Sequence, residues 1–289
     1  MPLVPVNGIS IAYELIGDGE KAITITPGGR FSKETPGVRE LAVELANRGY
    51  KVLIWDRPNC GESHVCFDGE CESFQNADTL AGMIRALGLG PALVYGASGG
   101  SRETLLTAIR HPDCVAGVFC QWLSGGGIGI AALPTAYCAN SVIAASLGGM
   151  AAVLELPDWQ EQLARNPSNR ERFLAWNADK FVQRMRDWAD WFLPQPGMPI
   201  PCVGAGDLEG VKAPTVILRS SKSDMHHTRQ TSERVAAMIP GVQLQEPPWG
   251  ENEWIERLND DARHKTGLFR SMPKLVPQIC DFAGSIGHV

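Results

Sequence analysis

The sequence predicts an α/β fold: a mostly parallel central sheet flanked by helices, with a helical cap inserted after the sixth strand. Short, β-branched apolar runs alternate along the chain with segments of helical spacing. The runs are continuously apolar, which is typical of parallel strands buried on both faces. The alternation stops near Leu123, and strand character returns at residues 214–218. We therefore expect a core of residues 1–123 and 209–289, and a cap of residues 124–208.

An N-terminal hairpin opens the chain. Residues 3–16 contain LVPV and ISIAYELI on either side of Asn7-Gly8, a pair that favours a two-residue hairpin turn. Further strands are predicted at residues 22–26, 51–56, 91–95, 115–121, 214–218 and 242–245. Apolar residues that recur on one face predict core helices at residues 37–48, 75–87, 101–109, 231–238 and 273–282, and cap helices at residues 157–163, 171–176 and 181–192.

Composition narrows the classes of function. Of the 289 residues, 44% are hydrophobic and 20% charged, and the formal net charge is −6, which is typical of a soluble globular chain. An acidic chain without runs of Lys or Arg argues against nucleic acid and anionic membranes as partners. The N-terminus lacks a signal-peptide pattern, and the most apolar stretch, residues 141–156, is too short to span a bilayer. We expect a cytoplasmic protein that acts on a small molecule, and the sequence leaves a homodimer open.

Cysteine spacing and motifs argue against a cofactor. The eight cysteines include no CxxC pair, and the cluster of Cys60, Cys66 and Cys71 has longer spacings than ordinary zinc ligands. No GxGxxG follows a strand, and neither a P-loop nor an HExxH sequence is present. We therefore expect reduced thiols, no metal and no cofactor.

The strongest local signal is GASGG at residues 96–100. It directly follows the apolar strand PALVY and opens the helix SRETLLTAI, which is the context of a nucleophile elbow. Glycines two residues before and after Ser98 allow a sharp turn that lifts its hydroxyl above the sheet. The hydroxyl then lies at a helix N-terminus, where unpaired N–H groups favour negative charge. Ser98 is therefore the candidate nucleophile.

The order of these elements, together with DRPNCGES at residues 56–63, resembles the α/β-hydrolase family. The family has a D-x-x-G-x-G-x-S stretch at this position, and Asn59 and Cys60 replace its usual Gly and the neighbouring residue. The resemblance covers nearly the whole chain. It implies an oxyanion loop, the elbow, a helical cap, an acid turn and a histidine turn in that order, and hence a Ser-His-Asp triad.

The resemblance also implies positions for the base and the acid. The family's base lies between the last strand and the last helix, where this chain has His264. Residues 246–263 make that connection unusually long, and Arg263 replaces the usual Gly. The acid follows the preceding strand, where Asp224 is the carboxylate of residues 219–227. The predicted triad is Ser98, His264 and Asp224, with His227 as the alternative base or a residue that lines the site.

An oxyanion hole needs two backbone N–H groups. The resemblance assigns one to Gly99, the residue after the nucleophile, and the other to Gly29, in the loop PGGR at residues 27–30. Arg30 in the same loop is a candidate for binding a substrate carboxylate or oxygen, with an ordinary surface arginine as the alternative.

Aromatic residues near the cap are candidates for an apolar substrate pocket. We single out Trp122 as a pocket residue. Trp249 and Trp254, in the long connection before His264, are further candidates. Several other aromatic residues are expected to pack within the cap itself: Trp159, Trp176, Trp188, Trp191 and Phe192.

The resemblance implies an enzyme that hydrolyses an ester, lactone or related acyl bond of a small, partly apolar molecule through an acyl-enzyme. Two alternatives stay open: hydrolysis of a C–C bond beside a carbonyl, and a non-catalytic or slow-turnover ligand receptor. Lyase or cofactor-free oxygen chemistry on the same scaffold is a third. A dehalogenase or an epoxide hydrolase would need a carboxylate at position 98, so Ser98 argues against both.

Overall fold

The computed structural model describes residues 2–193 and 195–289, and its core is an eight-stranded sheet. The strands are β1 (Leu3–Val6), β2 (Ile9–Ile16), β3 (Ala22–Thr26), β4 (Lys51–Trp55), β5 (Ala92–Ala97), β6 (Val115–Gln121), β7 (Thr215–Leu218) and β8 (Gln243–Gln245). Their order across the sheet is β1-β2-β4-β3-β5-β6-β7-β8. The β1–β2 and β2–β4 pairs are antiparallel and the other pairs are parallel, so the predicted mostly parallel α/β fold is confirmed.

The helices account for most of the remaining chain. They are α1 (Val38–Ala46), α2 (Glu72–Ala86), α3 (Gly99–Arg110), α4 (Gly127–Pro134), α5 (Asn140–Leu154), α6 (Pro157–Arg165), α7 (Asn169–Leu174), α8 (Ala178–Phe192), α9 (Ala205–Glu209), α10 (Arg229–Ala236), α11 (Glu253–His264) and α12 (Val276–Ser285). A π-helical turn, Thr135–Ala139, joins α4 to α5, and short 3-10 turns lie at Pro112–Cys114 and Met272–Leu275.

Hydrophobic side chains cover both faces of the sheet. On β4, Val52 and Ile54 point into the cluster under α1 and α12, while Leu53 and Trp55 point into the cluster under α2 and α3. Successive side chains of a strand alternate between faces, so an apolar strand of this kind serves two cores at once. Burying each such aliphatic side chain contributes about 1.5–3 kcal/mol.

The N-terminal hairpin follows the prediction. Asn7 and Gly8 both have positive φ, 51° and 80°, as a type I′ turn requires. The turn fixes the register in which Val6 pairs with Ile9 and Leu3 with Ala12. A one-residue slip would move every β2 side chain to the opposite face, so this turn determines which residues of β2 are buried.

The segment between β6 and β7 contains α4 to α9, and it packs on the core through an aromatic cluster around Phe67. Phe67 lies in the loop between β4 and α2 and is fully buried. Its ring centroid lies 5.0–5.9 Å from those of Trp159, Phe173, Trp176, Phe181 and Trp188. Trp159 and Trp188 are therefore packing residues. The domain boundaries at 123/124 and 208/209 stay a prediction.

The helices from Gly127 to Arg165 form a run that is long and apolar enough, by length and composition, to cross a membrane, and 33% of its most apolar window is buried. The run is not one straight helix. Gly148 and Gly149 have non-helical dihedral angles inside α5, with φ values of −140° and 66°. The chain bends there and packs back against α8.

Two local differences from the sequence expectations, and one buried terminal residue, concern the C-terminal third. Helix α11 forms within the connection at residues 246–263, for which no element was predicted. The last helix begins at Val276 rather than at residue 273, because residues Met272–Leu275 form a 3-10 turn first. His288, one residue from the C-terminus, is buried, and its Nε2 lies 2.8 Å from the carbonyl oxygen of Ala22.

Candidate active site

Ser98 occupies a strained turn between β5 and α3. Its φ is 56° and its ψ is −120°, a combination that a non-glycine residue adopts only when its surroundings enforce it. The neighbouring glycines allow the turn. A Cβ at Gly96 would overlap the carbonyl of Gly100, and a Cβ at Gly100 would overlap the carbonyl of Thr26 on β3. The GxSxG pattern is therefore required by close backbone approach.

Ser98, His227 and Asp224 form a hydrogen-bonded chain. The Ser98 Oγ lies 2.8 Å from Nε2 of His227, and Nδ1 of His227 lies 2.9 Å from Oδ2 of Asp224. With the imidazole proton on Nδ1, Ser98 donates to Nε2 and Nδ1 donates to the carboxylate. The Asp224 side chain is fully buried. An imidazole oriented in this way can accept the Ser98 proton.

The turn after β7 holds both Asp224 and His227. The Oδ1 of Asp224 accepts hydrogen bonds from the backbone N–H groups of His226 and His227, at 2.9 and 2.8 Å. This Asx turn folds the chain back within three residues, so the imidazole of His227 reaches the second oxygen of the same carboxylate. Both residues of this pair therefore precede β8 in the chain, although the turn itself is held by Glu251, whose carbonyl oxygen accepts the N–H of Ser223 at 3.1 Å.

The structure does not bring His264 to Ser98, which corrects the prediction that His264 is the base. His264 is the last residue of α11, and its side chain is exposed. The expectation rested on the position after the last strand, but that connection folds into a helix that turns His264 outward. The histidine on the Ser98 hydroxyl is His227, the alternative. The Asx turn at Asp224 was the sequence signal that could have favoured it.

Gly29 and Gly99 lie close together beside Ser98. A Cβ on Gly99 would lie 3.7 Å from the backbone nitrogen of Gly29, and a Cβ on Gly28 would overlap the Cβ of Ser98. Gly29 has a φ of +54°. The loop thus approaches the elbow as closely as glycine allows. The assignment of the oxyanion-binding N–H groups to Gly29 and Gly99 stays a prediction.

A buried ion pair between Arg57 and Glu103, with hydrogen bonds from Arg57 to the loop, supports the backbone at Gly28 and Gly29. The Nη2 of Arg57 donates to the carbonyl oxygens of Gly28 and Gly29, and its Nη1 donates to Glu103 on α3 at 3.0 Å. Both side chains are 3% exposed. Burial raises the pKa of the Glu103 carboxyl, although the charge of Arg57 opposes that shift. Arg57 therefore ties the loop to the helix that carries Ser98.

The Ser98 hydroxyl opens into a cavity of about 230 Å³. Trp122 lines it, as predicted, and stacks on His227 with ring centroids 6.2 Å apart and planes at 28°. The sequence reasoning missed much of the remaining wall, which comes from four parts of the chain that are distant in sequence: Phe31, Leu133, Tyr137, His226, Arg257, Leu268 and Phe269. Burial lowers the pKa of His226 and raises the pKa of Tyr137 to about 12, so both side chains are neutral at pH 7.

Arg30 lies outside this cavity. It lines a neighbouring cavity of about 370 Å³, which shares Phe31 and Tyr137 with the Ser98 cavity. Its Nη2 lies 3.3 Å from Oε1 of Glu72, and its guanidinium carbon lies 4.4 Å from the centre of the Trp159 ring. Arg30 therefore has partners within the fold, while its Nε and Nη1 are buried without a hydrogen-bond partner among the described residues. Its role in substrate binding stays a prediction.

Within residues 2–193 and 195–289, no group of three or more His, Cys, Asp or Glu side chains is arranged to hold a metal ion. All eight cysteines are free thiols, and seven of them are buried.

Comparison with sequence models of known protein families identifies the family to which the chain belongs. The sequence model of the Alpha/beta hydrolase family matches residues 26–276. The chain belongs to this family. The matched region includes the elbow at Ser98, the turn with Asp224 and His227, and α11.

Curated relatives of this α/β-hydrolase are similar over part of their length. The chain is 30% identical over 122 residues to a 2-hydroxy-6-oxononadienedioate/2-hydroxy-6-oxononatrienedioate hydrolase of Burkholderia vietnamiensis. The matched segment covers 42% of this chain and 41% of that protein. It is 29% identical over 103 residues to a 2-hydroxy-6-oxo-6-phenylhexa-2,4-dienoate hydrolase of Comamonas testosteroni. The matched segments span about two fifths of the curated relatives.

Solved structures share the fold over the whole chain. The enol-lactonase from Burkholderia xenovorans LB400 superposes with a TM-score of 0.60 at 19% identity, covering 98% of this α/β-hydrolase and 100% of that chain. At such identity the likeness shows the fold alone.

Proposed function

We propose that this α/β-hydrolase cleaves an ester or lactone bond of a small molecule, with Ser98 as nucleophile, His227 as base and Asp224 as the orienting acid. The observation that carries the proposal is the hydrogen-bonded chain from Ser98 Oγ through His227 to the buried carboxylate of Asp224. A serine hydroxyl is a weak nucleophile at neutral pH and needs this kind of activation.

The reaction follows from the geometry. His227 accepts the Ser98 proton as Oγ attacks the carbonyl carbon, and the N–H groups of Gly29 and Gly99 bind the oxyanion. Asp224 stabilises the imidazolium that forms. The imidazolium then protonates the leaving alcohol. A water molecule, deprotonated by His227, attacks the acyl carbon, and the imidazolium returns the proton to Ser98 Oγ as the acyl–Oγ bond breaks and the acid leaves.

Hydrolysis of a C–C bond beside a carbonyl is the second candidate. It is favoured by the local identity of 30% and 29% to two hydrolases whose names specify oxo-dienoate substrates. The same serine, histidine and oxyanion groups would serve that reaction. A panel that contains esters, lactones and a vinylogous oxo-dienoate distinguishes the two, because a C–C hydrolase consumes the dienoate with loss of its visible absorption.

The intact mass after treatment with a neutral fluorophosphonate tests the proposal. We expect one adduct on the wild type, none on Ser98→Ala, and labelling slowed roughly 10⁴-fold or more in His227→Ala. His264→Ala, the matched control at the other histidine, should label like the wild type because its side chain is exposed.

A folded wild type that takes no adduct would exclude an activated serine. A single slow turnover with tight retention of ligand would instead support a receptor on the hydrolase fold.

A further inference from the structure

The Ser98 cavity contains a cation that the proposed chemistry does not use. Arg257 lies on α11 and contributes to the cavity wall. Its side chain is 10% exposed. The Nε of Arg257 donates to Oε1 of Glu253 at 3.0 Å, and its Nη1 donates to the carbonyl of Leu268 at 3.3 Å. Its Nη2 is buried and has no hydrogen-bond partner among the residues that the structure describes.

The guanidinium of Arg257 packs close to the candidate active-site residues. Its central carbon is 4.1 Å from the centre of the Trp122 ring, and Trp122 stacks on His227. Stacking on an indole holds a guanidinium flat and leaves its edge free to bind a planar oxyacid group. The Trp122 ring therefore contacts both the Arg257 guanidinium and the imidazole of His227, which contacts Ser98.

The ion pair with Glu253 does not account for the whole side chain. It uses Nε, while Nη2 stays unpaired among the described residues. Burial raises the pKa of the Glu253 carboxyl, with the charge of Arg257 opposing the shift. A buried donor without an acceptor costs about 1–3 kcal/mol. Oε2 of Glu253 is also buried without a partner among the described residues, yet Nη2 is not bonded to it. Much of the surrounding wall is apolar, including Leu133, Leu268 and Phe269, so a ligand bound in the cavity can supply an acceptor for Nη2.

We propose that Arg257 binds a carboxylate of the substrate, so that the substrate class is a small ester or lactone with one free carboxylate. This inference rests on the proposed function of Ser98. The cavity of about 230 Å³ corresponds to roughly eight waters of about 30 Å³ each, which fits a half-ester of a four- or five-carbon dicarboxylic acid. Hydrolysis of such a half-ester consumes one water, breaks the acyl C–O bond, and yields the dicarboxylic acid and the alcohol.

The test compares two substrates of equal length, monomethyl glutarate and methyl pentanoate. A charge-assisted hydrogen bond is worth about 1.5–3 kcal/mol, so we expect the wild type to favour the half-ester in kcat/KM by roughly 10- to 100-fold. In Arg257→Met the ratio should fall to about one, and Arg257→Lys should retain part of it. The matched control is Arg263→Met, an exposed arginine on the same helix, which should keep the wild-type ratio.

Two further measurements keep the inference separate from the proposed function. Fluorophosphonate labelling of Ser98 reports the activated serine without any carboxylate on the probe. Calorimetric binding of monomethyl glutarate to Ser98→Ala, with and without Arg257→Met, reports the carboxylate site without turnover. A wild type that is labelled and hydrolyses both esters equally would overturn the role of Arg257, as would an unchanged ratio in a folded Arg257→Met. Loss of labelling with intact, Arg257-dependent binding would overturn only the proposed function.

Discussion

Replacing Asp224 by Asn should separate the orientation of His227 from the folding of its turn. The Oδ1 of Asp224 accepts the backbone N–H groups of His226 and His227, while Oδ2 faces Nδ1 of His227. An Asn has one acceptor oxygen, and the two backbone donors retain it. Its NH₂ group must then face Nδ1, so the imidazole proton moves to Nε2, where it points at Ser98 and blocks proton transfer.

The magnitude follows from the number of contacts affected. In Asp224→Asn the turn keeps both backbone hydrogen bonds, so the melting temperature of this variant should stay close to that of the wild type. Catalysis loses the correct tautomer, which in serine triads costs about 10⁴-fold, or about 5 kcal/mol of transition-state stabilisation. Asp224→Ala removes the acceptor of three hydrogen bonds at a charged group, and at about 1.5–3 kcal/mol each it should also lose several kcal/mol of folding stability.

The assay is the second-order rate of fluorophosphonate labelling, read beside the melting temperature of each variant. Asp260→Asn, which changes an exposed carboxylate of α11, is the control and should label at the wild-type rate. Labelling of Asp224→Asn within tenfold of the wild type would refute the argument from the tautomer. If Asp224→Asn and Asp224→Ala lowered the melting temperature equally, the backbone N–H groups of His226 and His227 would not be bonded to the introduced amide oxygen.

The remaining predictions concern stability. Gly100→Ala should prevent folding of the elbow, because its Cβ would overlap backbone on β3, whereas Gly127→Ala, which has open space around it, should leave the melting temperature unchanged. Arg57→Met should lower the free energy of unfolding in urea by about 3–5 kcal/mol, since it leaves the buried Glu103 without its ion-pair partner and with a hydrogen bond from Asn76. Adding Glu103→Leu should restore most of that loss, and no recovery would contradict the argument from the Arg57–Glu103 ion pair. Burial lowers the pKa of His288 in the folded state, so below an unfolded pKa of about 6.5 the unfolded chain binds the extra proton. Stability should therefore fall from pH 7.5 to 5.5, and His288→Gln should make that fall smaller.

Much of the fold could be predicted because its signals are local. The apolar runs of β3 and β6 match the predicted strands residue for residue, and the Asn7-Gly8 turn sets the register of the hairpin. The elbow was also predictable, since the glycines around Ser98 are needed wherever a strand turns this sharply into a helix. These features depend on residues within about ten positions of one another.

The candidate base and the cavity depend on contacts that no short stretch of sequence contains. Asp224 and His227 are neighbours in the chain, but Ser98 is 129 residues from His227, and only the parallel order of β5, β6 and β7 brings them to the same sheet edge. A position after the last strand therefore favoured His264, which the folding of α11 turns to solvent. The same helix places Arg257 beside Trp122, a contact across 135 positions.

The sequence by itself determined the alternating core and the elbow, because periodicity and turn chemistry act over short distances. The family was indicated by the resemblance of its motifs and their order. Tertiary structure alone decided which histidine meets Ser98, which arginine lines its cavity and which aromatic residues between β6 and β7 are packing residues. Each of those outcomes depends on how separate elements meet at the carboxyl edge of the sheet, and the physical reason is that packing and hydrogen bonding between distant segments, rather than local preference, orient the side chains there.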